Sequence, residues 1–378
     1  MHARLAAVVL PAVLFSVAAW ADQFLKDASF TTLVVTPLAI EGLTGDAAGN
    51  LYTTGRAAVG TPCPVYRTNI DAPLPLRTVG TIPNPTGCGP SGITFDAGGN
   101  LYIADGATIW KLTPNEALPP LATAFATGVP GTNGLAFDRD GNLWTGDGTT
   151  GLGRVWRIDP QGVPAEMFRI QPMRNGTDLG GDIPAPGVGR QNNSVPTGNA
   201  QNLVANGVAF NHQGDLFVAD TARGAIWKVQ IDRHGSVQSP LGCDTTFTAN
   251  TLCLDNVFVA HPYLEGTDGI ALDTAGNIWN SANERNAIVV VTKDRQVSEV
   301  FRTPPNAAGL RNAGALEFPT SPFLLGTKLC TANSDGNRRD NSPNGAGEIN
   351  SGGPEGARGK ISCMEQALTI PGLPLPVR

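Results

Sequence analysis

Residues 92–106 read GITFDAGGNLYIADG, and this stretch recurs along the chain with variation. GLTGDAAGNLYTTG begins at Gly42, GLAFDRDGNLWTGDG at Gly134, GVAFNHQGDLFVADT at Gly207 and GIALDTAGNIWNSAN at Gly269. A degenerate sixth copy, GALEFPTSPFLLGTKLCTAN, begins at Gly314. Successive copies start 50, 42, 73, 62 and 45 residues apart. In each, about five residues of apolar or alternating character predict a strand. A tight turn follows, in which Gly49, Gly99, Gly141, Gly214 or Gly276 can take positive φ at no steric cost. A second strand rises through Leu51-Tyr52, Leu101-Tyr102, Leu143-Trp144, Leu216-Phe217 or Ile278-Trp279. TIWKLT (108–113), RVWRID (154–159), AIWKVQ (225–230) and AIVVVT (287–292) predict third strands, and PLATAFAT (120–127) and QVSEVFRT (296–303) predict fourth ones. Four antiparallel strands repeated at this period predict an all-β protein, a six-bladed β-propeller. TTLVVTP (31–37) precedes the first copy and is expected to close the ring by joining the last blade. Trp110, Trp156 and Trp227 recur on third strands and read as packing between blades.

Composition agrees. Gly 46 and Pro 30 make up about a fifth of the 378 residues, which excludes a helical bundle. An apolar fraction of 41% with only 15% charged residues excludes a disordered chain. The net charge is −6 and there is no basic run, so no nucleic-acid partner is expected. Arg4, the apolar stretch Leu5 to Ala19 and Ala19-Trp20-Ala21 read as a secretory signal over 1–21, cleaved before Asp22. No other stretch is long enough to span a membrane. Residues 22–378 then form one propeller domain, exported to the periplasm or secreted. Six cysteines in that part suggest disulfides in an oxidising compartment. The strand order suggests sequential pairs: Cys63 with Cys88, Cys243 with Cys253, and Cys330 with Cys363. In this reading Cys63 lies in the loop between the second and third strands of blade one. Three long polar insertions, near 171–205, 235–265 and 334–358, are expected on the face where the first strands begin.

The residue before each first strand should lie at the mouth of the central channel. In chain order these are Glu41, Ser91, Asn133, Asn206, Asp268 and Ala313. Two carboxylates and two carboxamides offer hard oxygen donors suited to a divalent cation, Ca²⁺ first, with Mg²⁺, Mn²⁺ or Zn²⁺ as alternatives. Asn and Asp before Gly are also ordinary turn residues. Glu41 has no such preference. Asp105, Asp147 and Asp220 end second strands near the same face and are candidate substrate contacts, as are Asn283 and His261.

Glu41-Gly42, Thr132-Asn133-Gly134, Ala205-Asn206-Gly207 and Thr267-Asp268-Gly269 resemble the metal-site elements of the senescence-marker-protein / gluconolactonase / luciferin-regenerating-enzyme family. The resemblance covers residues 38–333. It implies a six-bladed propeller with one divalent ion on its axis, held by Glu41, Asn133, Asn206 and Asp268. It also implies metal-assisted hydrolysis of a lactone or related ester. The ion would polarise the carbonyl and lower the pKa of a water, and Asp268 would act as general base. The arginine that often precedes the blade-three Asn in that family, and helps bind sugar lactones, has no counterpart. Pro130, Gly131 and Thr132 stand there. Two other readings use the same fold: a non-catalytic NHL-like propeller that binds a carbohydrate, peptide or protein, and a propeller lyase. A G-x-S-x-G elbow, an H-E-x-x-H pair and a P-loop are all absent from the sequence.

Overall fold

In blades one, two, three and five the hairpin is built by the same chemistry. In D-x-x-G-N-(L/I)-aromatic, one carboxylate oxygen of the Asp accepts from backbone N–H groups of its own turn. The other oxygen takes the amide of the Asn and the polar tip of the aromatic. Asp96 Oδ1 accepts from Gly98 N at 2.8 Å and Asn100 N at 2.9 Å, and Oδ2 accepts from Asn100 Nδ2 at 2.8 Å and the Tyr102 hydroxyl at 3.2 Å. Tyr52 reaches Asp46 at 3.0 Å, Trp144 reaches Asp138 at 2.9 Å and Trp279 reaches Asp273 at 3.1 Å in the same way. The fourth copy has Phe217, which offers no donor, and there the turn residue is the neutral Asn211. Its Asp215 pairs instead with Lys228 at 2.8 Å. The turn glycines have φ between 81° and 89°. The aromatic bodies pack edge-to-face on the first-strand Phe of the next blade. Ring centroids are 5.0 Å apart for Tyr52–Phe95, 5.0 Å for Tyr102–Phe137 and 5.8 Å for Trp144–Phe210.

These hairpins assemble into six sheets. The computed structural model describes residues 24, 28–73, 75–171, 205–243, 245–264, 266–303, 314–334 and 358–375. An entering strand, β1 (Phe30–Val35), comes first. Blade one is β2 (Ile40–Gly45), β3 (Asn50–Gly55), β4 (Cys63–Asn69) and β5 (Arg77–Ile82). Blade two is β6 (Pro90–Phe95), β7 (Leu101–Asp105), β8 (Thr108–Leu112) and β9 (Thr123–Thr127). Blade three is β10 (Thr132–Phe137), β11 (Leu143–Asp147), β12 (Arg154–Ile158) and β13 (Pro164–Ile170), with a fifth strand, β17 (Thr251–Leu252). Blade four is β14 (Ala205–Phe210), β15 (Leu216–Asp220), β16 (Ala225–Val229) and β18 (Val257–Ala260). Blade five is β19 (Thr267–Leu272), β20 (Ile278–Ala282), β21 (Ala287–Val291) and β22 (Val297–Arg302). Blade six is β23 (Pro319–Leu325), β24 (Lys328–Asn333), β25 (Lys360–Met364) and β1. The entering strand thus closes the ring, with Phe30 opposite Met364 and Val35 opposite Lys360.

First strands pack against one another around the axis. A Cβ on Gly42 would lie 2.1 Å from Ser91 O, and one on Gly92 2.1 Å from Asn133 O. On Gly207 it would meet Asp268 O at 2.5 Å, and on Gly269 Thr320 O at 2.4 Å. These glycines are therefore required by close backbone approach inside a strand. Ordinary turn chemistry does not explain the Asn-Gly and Asp-Gly pairs.

Three expectations need correction. The first strand of blade six begins at Pro319, five residues after Gly314, so the axial position belongs to Thr320; Ala313 lies outside the described residues. Cys63 opens strand β4 and is fully buried there, not in a loop. The 235–265 insertion leaves from the end opposite the first-strand starts, because it joins the third and fourth strands of blade four. It climbs the outer flank and adds β17, parallel to β13, with Arg169 opposite Thr251. The other two insertions, and the expected leader, lie essentially outside the described residues. All three cysteine pairs form as expected: Cys63–Cys88, Cys243–Cys253 and Cys330–Cys363.

Candidate functional site

Every first strand carries a register shift at its second residue. It falls between Ile40 and Leu43, Pro90 and Ile93, Thr132 and Leu135, Ala205 and Val208, Thr267 and Ile270, and Pro319 and Ser321. A bulge re-aims the side chain it contains. Here it carries the second residue of each first strand, Glu41, Ser91, Asn133, Asn206, Asp268 and Thr320, at one end of the channel. The first five line a cavity of about 480 Å³.

A second tier stands above this ring. The residue just after each second strand is Arg56, Gly106, Gly148, Thr221 or Asn283 in blades one to five, and all five line the same cavity. In four blades this residue sets the ring residue of its own blade. Arg56 Nη2 donates to Glu41 Oε2. Gly148 leaves room for Asn133, whose Nδ2 a Cβ would approach to 2.2 Å. Thr221 Oγ1 gives its one proton to Thr267 O at 2.6 Å, so it must accept from Asn206 Nδ2 at 3.3 Å. That leaves Asn206 Oδ1 buried with no hydrogen-bond partner. Asn283 Nδ2 donates to Asp268 Oδ2 at 2.9 Å, and Asn283 Oδ1 is likewise buried without a partner.

The second tier explains what happens to the other candidates. Asp105, Asp147 and Asp220 sit one residue earlier, so Asp147 and Asp220 turn away from the axis. Both are fully buried. Asp147 is held by Arg154 Nε at 2.8 Å and by the Thr150 hydroxyl. Asp220 is held by Arg223 Nη1 at 2.8 Å and by Trp227 Nε1 at 3.0 Å. Arg223, also fully buried, reaches on to Gln171 O at the end of blade three. These two carboxylates are not brought to the cavity. Asp105 does line it, because Gly106 opens space, while accepting from Gly89 N at 2.8 Å and Trp110 Nε1 at 3.2 Å. His261 lies beyond the outermost strand of blade four and is not among the cavity-lining residues. It packs on Tyr263 at 4.7 Å, and burial, then the nearby Arg285, lowers its pKa.

Arg56, Thr221 and Phe318 are wall residues that sequence reasoning missed. Aligning the blades one residue further along would have found the first two. Phe318 has φ of 52°, an unfavourable conformation for a bulky side chain. Its N–H is held by Asn286 Oδ1 at 2.7 Å, and Glu317 N by Asn333 Oδ1 at 3.0 Å. The buried pair Glu317–Lys360, at 2.8 Å, fixes the same segment. Blades five and six thus hold an aromatic ring at the mouth against its backbone preference.

Among the described residues no group of three or more His, Cys, Asp and Glu is placed to hold a metal ion. The ring instead mixes two carboxylates with two carboxamides, and the orphaned Asn206 Oδ1 is an oxygen that a hard cation would satisfy. The donor set fits a divalent cation of the Ca²⁺ or Mg²⁺ type.

Among curated proteins no sequence relative is detected. Solved structures share the architecture. A luciferin-regenerating enzyme aligns with 91% of this chain and 97% of its own at TM-score 0.56 and 15% identity. A regucalcin from Agrobacterium tumefaciens, described as a calcium-binding protein, aligns over 92% and 97% at TM-score 0.54 and 15% identity. A gluconolactonase from Xanthomonas campestris aligns over 93% and 91% at TM-score 0.54 and 16% identity. Likeness at such identities establishes the fold. Over residues 189–310, about a third of the chain, the sequence matches the family model described as SMP-30/Gluconolactonase/LRE-like region, the family that its blade motifs resemble.

Proposed function

We propose that the protein is a divalent-cation-dependent hydrolase that opens a lactone or related ester at the axial cavity. The observation that carries this reading is the convergence of Glu41, Asn133, Asn206 and Asp268 from four blades, with Asn206 Oδ1 buried and unpaired. The match to the gluconolactonase-like family model and the calcium-binding description of the regucalcin neighbour support it. A cation held by these four residues would supply positive charge beside the ester carbonyl and the attacking water. The chain's own residues do the rest. Asp268 takes the water's proton as the C–O bond forms and returns it to the ring alkoxide as the ester C–O bond breaks. The hydrogen bond from Asn283 holds one oxygen of that carboxylate and so sets the plane of the group. Phe318 restricts bulk water at the mouth. Export is part of the same reading, supported by three disulfides, which persist in oxidising compartments.

The test combines calorimetric titration of the metal-stripped protein with Ca²⁺, Mg²⁺, Mn²⁺ and Zn²⁺ and a lactone panel followed by acid release. One ion should bind per chain, and Asp268→Asn should abolish turnover while the fold persists. Absence of stoichiometric binding, or full activity in Asp268→Asn, would overturn it.

A further inference from the structure

Three blades repeat one side-chain cluster, and blade two lacks a piece of it. The second strands of blades two, three and four end in Asp105, Asp147 and Asp220, and their third strands carry Trp110, Trp156 and Trp227 at matching register. In blades three and four an arginine joins the two. Arg154 Nε lies 2.8 Å from Asp147 Oδ2, and its guanidinium carbon lies 5.3 Å from the centre of the Trp156 ring. Arg223 Nη1 lies 2.8 Å from Asp220 Oδ2, and its guanidinium carbon lies 5.4 Å from the Trp227 ring. Indole and cation share one oxygen in blade four, because Trp227 Nε1 also donates to Asp220 Oδ2 at 3.0 Å. Blade two keeps the carboxylate and the indole, with Trp110 Nε1 3.2 Å from Asp105 Oδ2. Among the described residues, no lysine or arginine pairs with Asp105 or stacks on Trp110.

The turn accounts for the loss. Blade three joins its second and third strands through residues 148–153, and blade four through 221–224. Blade two uses only Gly106-Ala107, so Asp105 stands opposite Thr108, and Thr108 opens the third strand where blade three has Arg154. Asp147 and Asp220 are fully buried with their arginines, whereas Asp105 is half-buried and lines the axial cavity. The space beside it is open. Gly89 donates its N–H to Asp105 Oδ1 at 2.8 Å, yet a Cβ on Gly89 would meet nothing within 4 Å, nor would one on Gly106. Gly89 is not among the positive-φ glycines, so neither packing nor backbone conformation demands glycine there. The ring residue of blade two is Ser91, outside the four-residue set suited to the divalent cation, so this seat is separate from that set.

We propose that Asp105 and Trp110 form a subsite at the blade-two wall of the axial cavity for an organic cation, a protonated amine of the substrate seated where the other blades place an arginine. A carboxylate takes charge-assisted N–H bonds, and the face of an indole attracts the same charge. The substrate class is then a lactone or ester that carries an amino group. This rests on the hydrolase reading for the reaction, but not for the binding it predicts. The same cluster allows the chain to fill the seat itself. Thr108→Arg places an arginine two residues before the tryptophan, as Arg154 stands before Trp156, and should shut out the ligand's cation.

The experiment titrates the full chain, with and without the divalent cation, with tetrahydrofurfurylamine and tetrahydrofurfuryl alcohol, whose rings cannot be hydrolysed. The wild type should favour the protonated amine by about tenfold or more, as for a charge-assisted hydrogen bond. Asp105→Asn, which can still accept from Gly89 N, should bind the two within about threefold and keep its affinity for the divalent cation. Thr108→Arg should lose the amine while still binding the alcohol, with thermal melts confirming that both variants fold. Equal binding of the pair by the wild type, or an amine preference that survives Asp105→Asn, overturns the proposal whatever the lactone panel shows. Loss of divalent-cation binding in Asp105→Asn overturns it too, since Asp105 would then be a ligand of the metal. Failure of the lactone panel with an intact amine preference overturns the hydrolase reading alone.

Discussion

Single atoms decide the chemistry of the mouth. Asn206 faces the cavity with its oxygen because Thr221 spends its only proton on Thr267 O. Leaving that oxygen buried and unpaired costs stability, and a cation would recover it. Asn206→Ala should therefore melt at a temperature close to wild type in chelator, yet bind the cation on the order of tenfold more weakly. Thermal melts with and without the ion check this, through a smaller ion-induced rise. Asp220 is the opposite case. It is fully buried, paired with a fully buried Arg223, and not among the residues lining the cavity. Asp220→Ala removes the carboxylate facing a buried guanidinium and should cost about 3–5 kcal/mol, measurable by denaturant unfolding, with the specific activity of the surviving folded protein unchanged.

At the scale of the hairpin, the turn Asp both closes the turn and holds the tip of the aromatic that packs on the next blade. This leaves a titration signature. Burial, then the charge of Asp46 and the hydrogen bond to it, push the Tyr52 phenol up to about 12. Burial also raises Tyr66 and Tyr102. The neutral phenol is the form favoured by the fold. Its contribution to stability is whole below the ordinary tyrosine pKa of about 10 and is lost as pH rises from there through about 12. Ultraviolet titration should show late-ionising tyrosines, and Asp46→Asn should bring Tyr52 down. On the acid side, burial would raise Asp96, but hydrogen bonds from Asn100, Gly98 and Tyr102 prevail and hold it below the usual carboxylate range. Its contribution is present above that range and fades as pH falls through the lowered pKa.

The whole molecule depends on a closed ring. Strand β1 covers the edge of β25 in blade six, and Phe24 packs on Trp279 of blade five at 5.7 Å between ring centroids. A chain beginning at Leu38 would expose the β25 edge and should associate, whereas one beginning at Asp22 should not. Size-exclusion chromatography with light scattering separates the two outcomes. Closure also turns four separate sequence positions into one site. Glu41 and Asp268 lie more than 200 residues apart in the chain, yet line the same cavity.

The repeat determined the blades, the hairpin turns, the closing strand and the axial position of Glu41, Asn133, Asn206 and Asp268. All of these follow from local periodicity, which each copy states independently. Tertiary structure decided which side of a strand each residue faces. Side chains reverse direction with every residue, so a one-residue offset turned Asp147 and Asp220 from candidate contacts into buried ion-pair anchors, and brought Thr221 and Arg56 to the cavity. The degenerate sixth copy misled for a related reason: its hairpin turns at Gly326 without the Asp and Asn of the other copies, so the Gly314 alignment did not mark where Thr320 should fall. The ion pair between Arg56 and Glu41 belongs to the same class, since it exists only because a bulge aims one side chain at the end of the neighbouring strand.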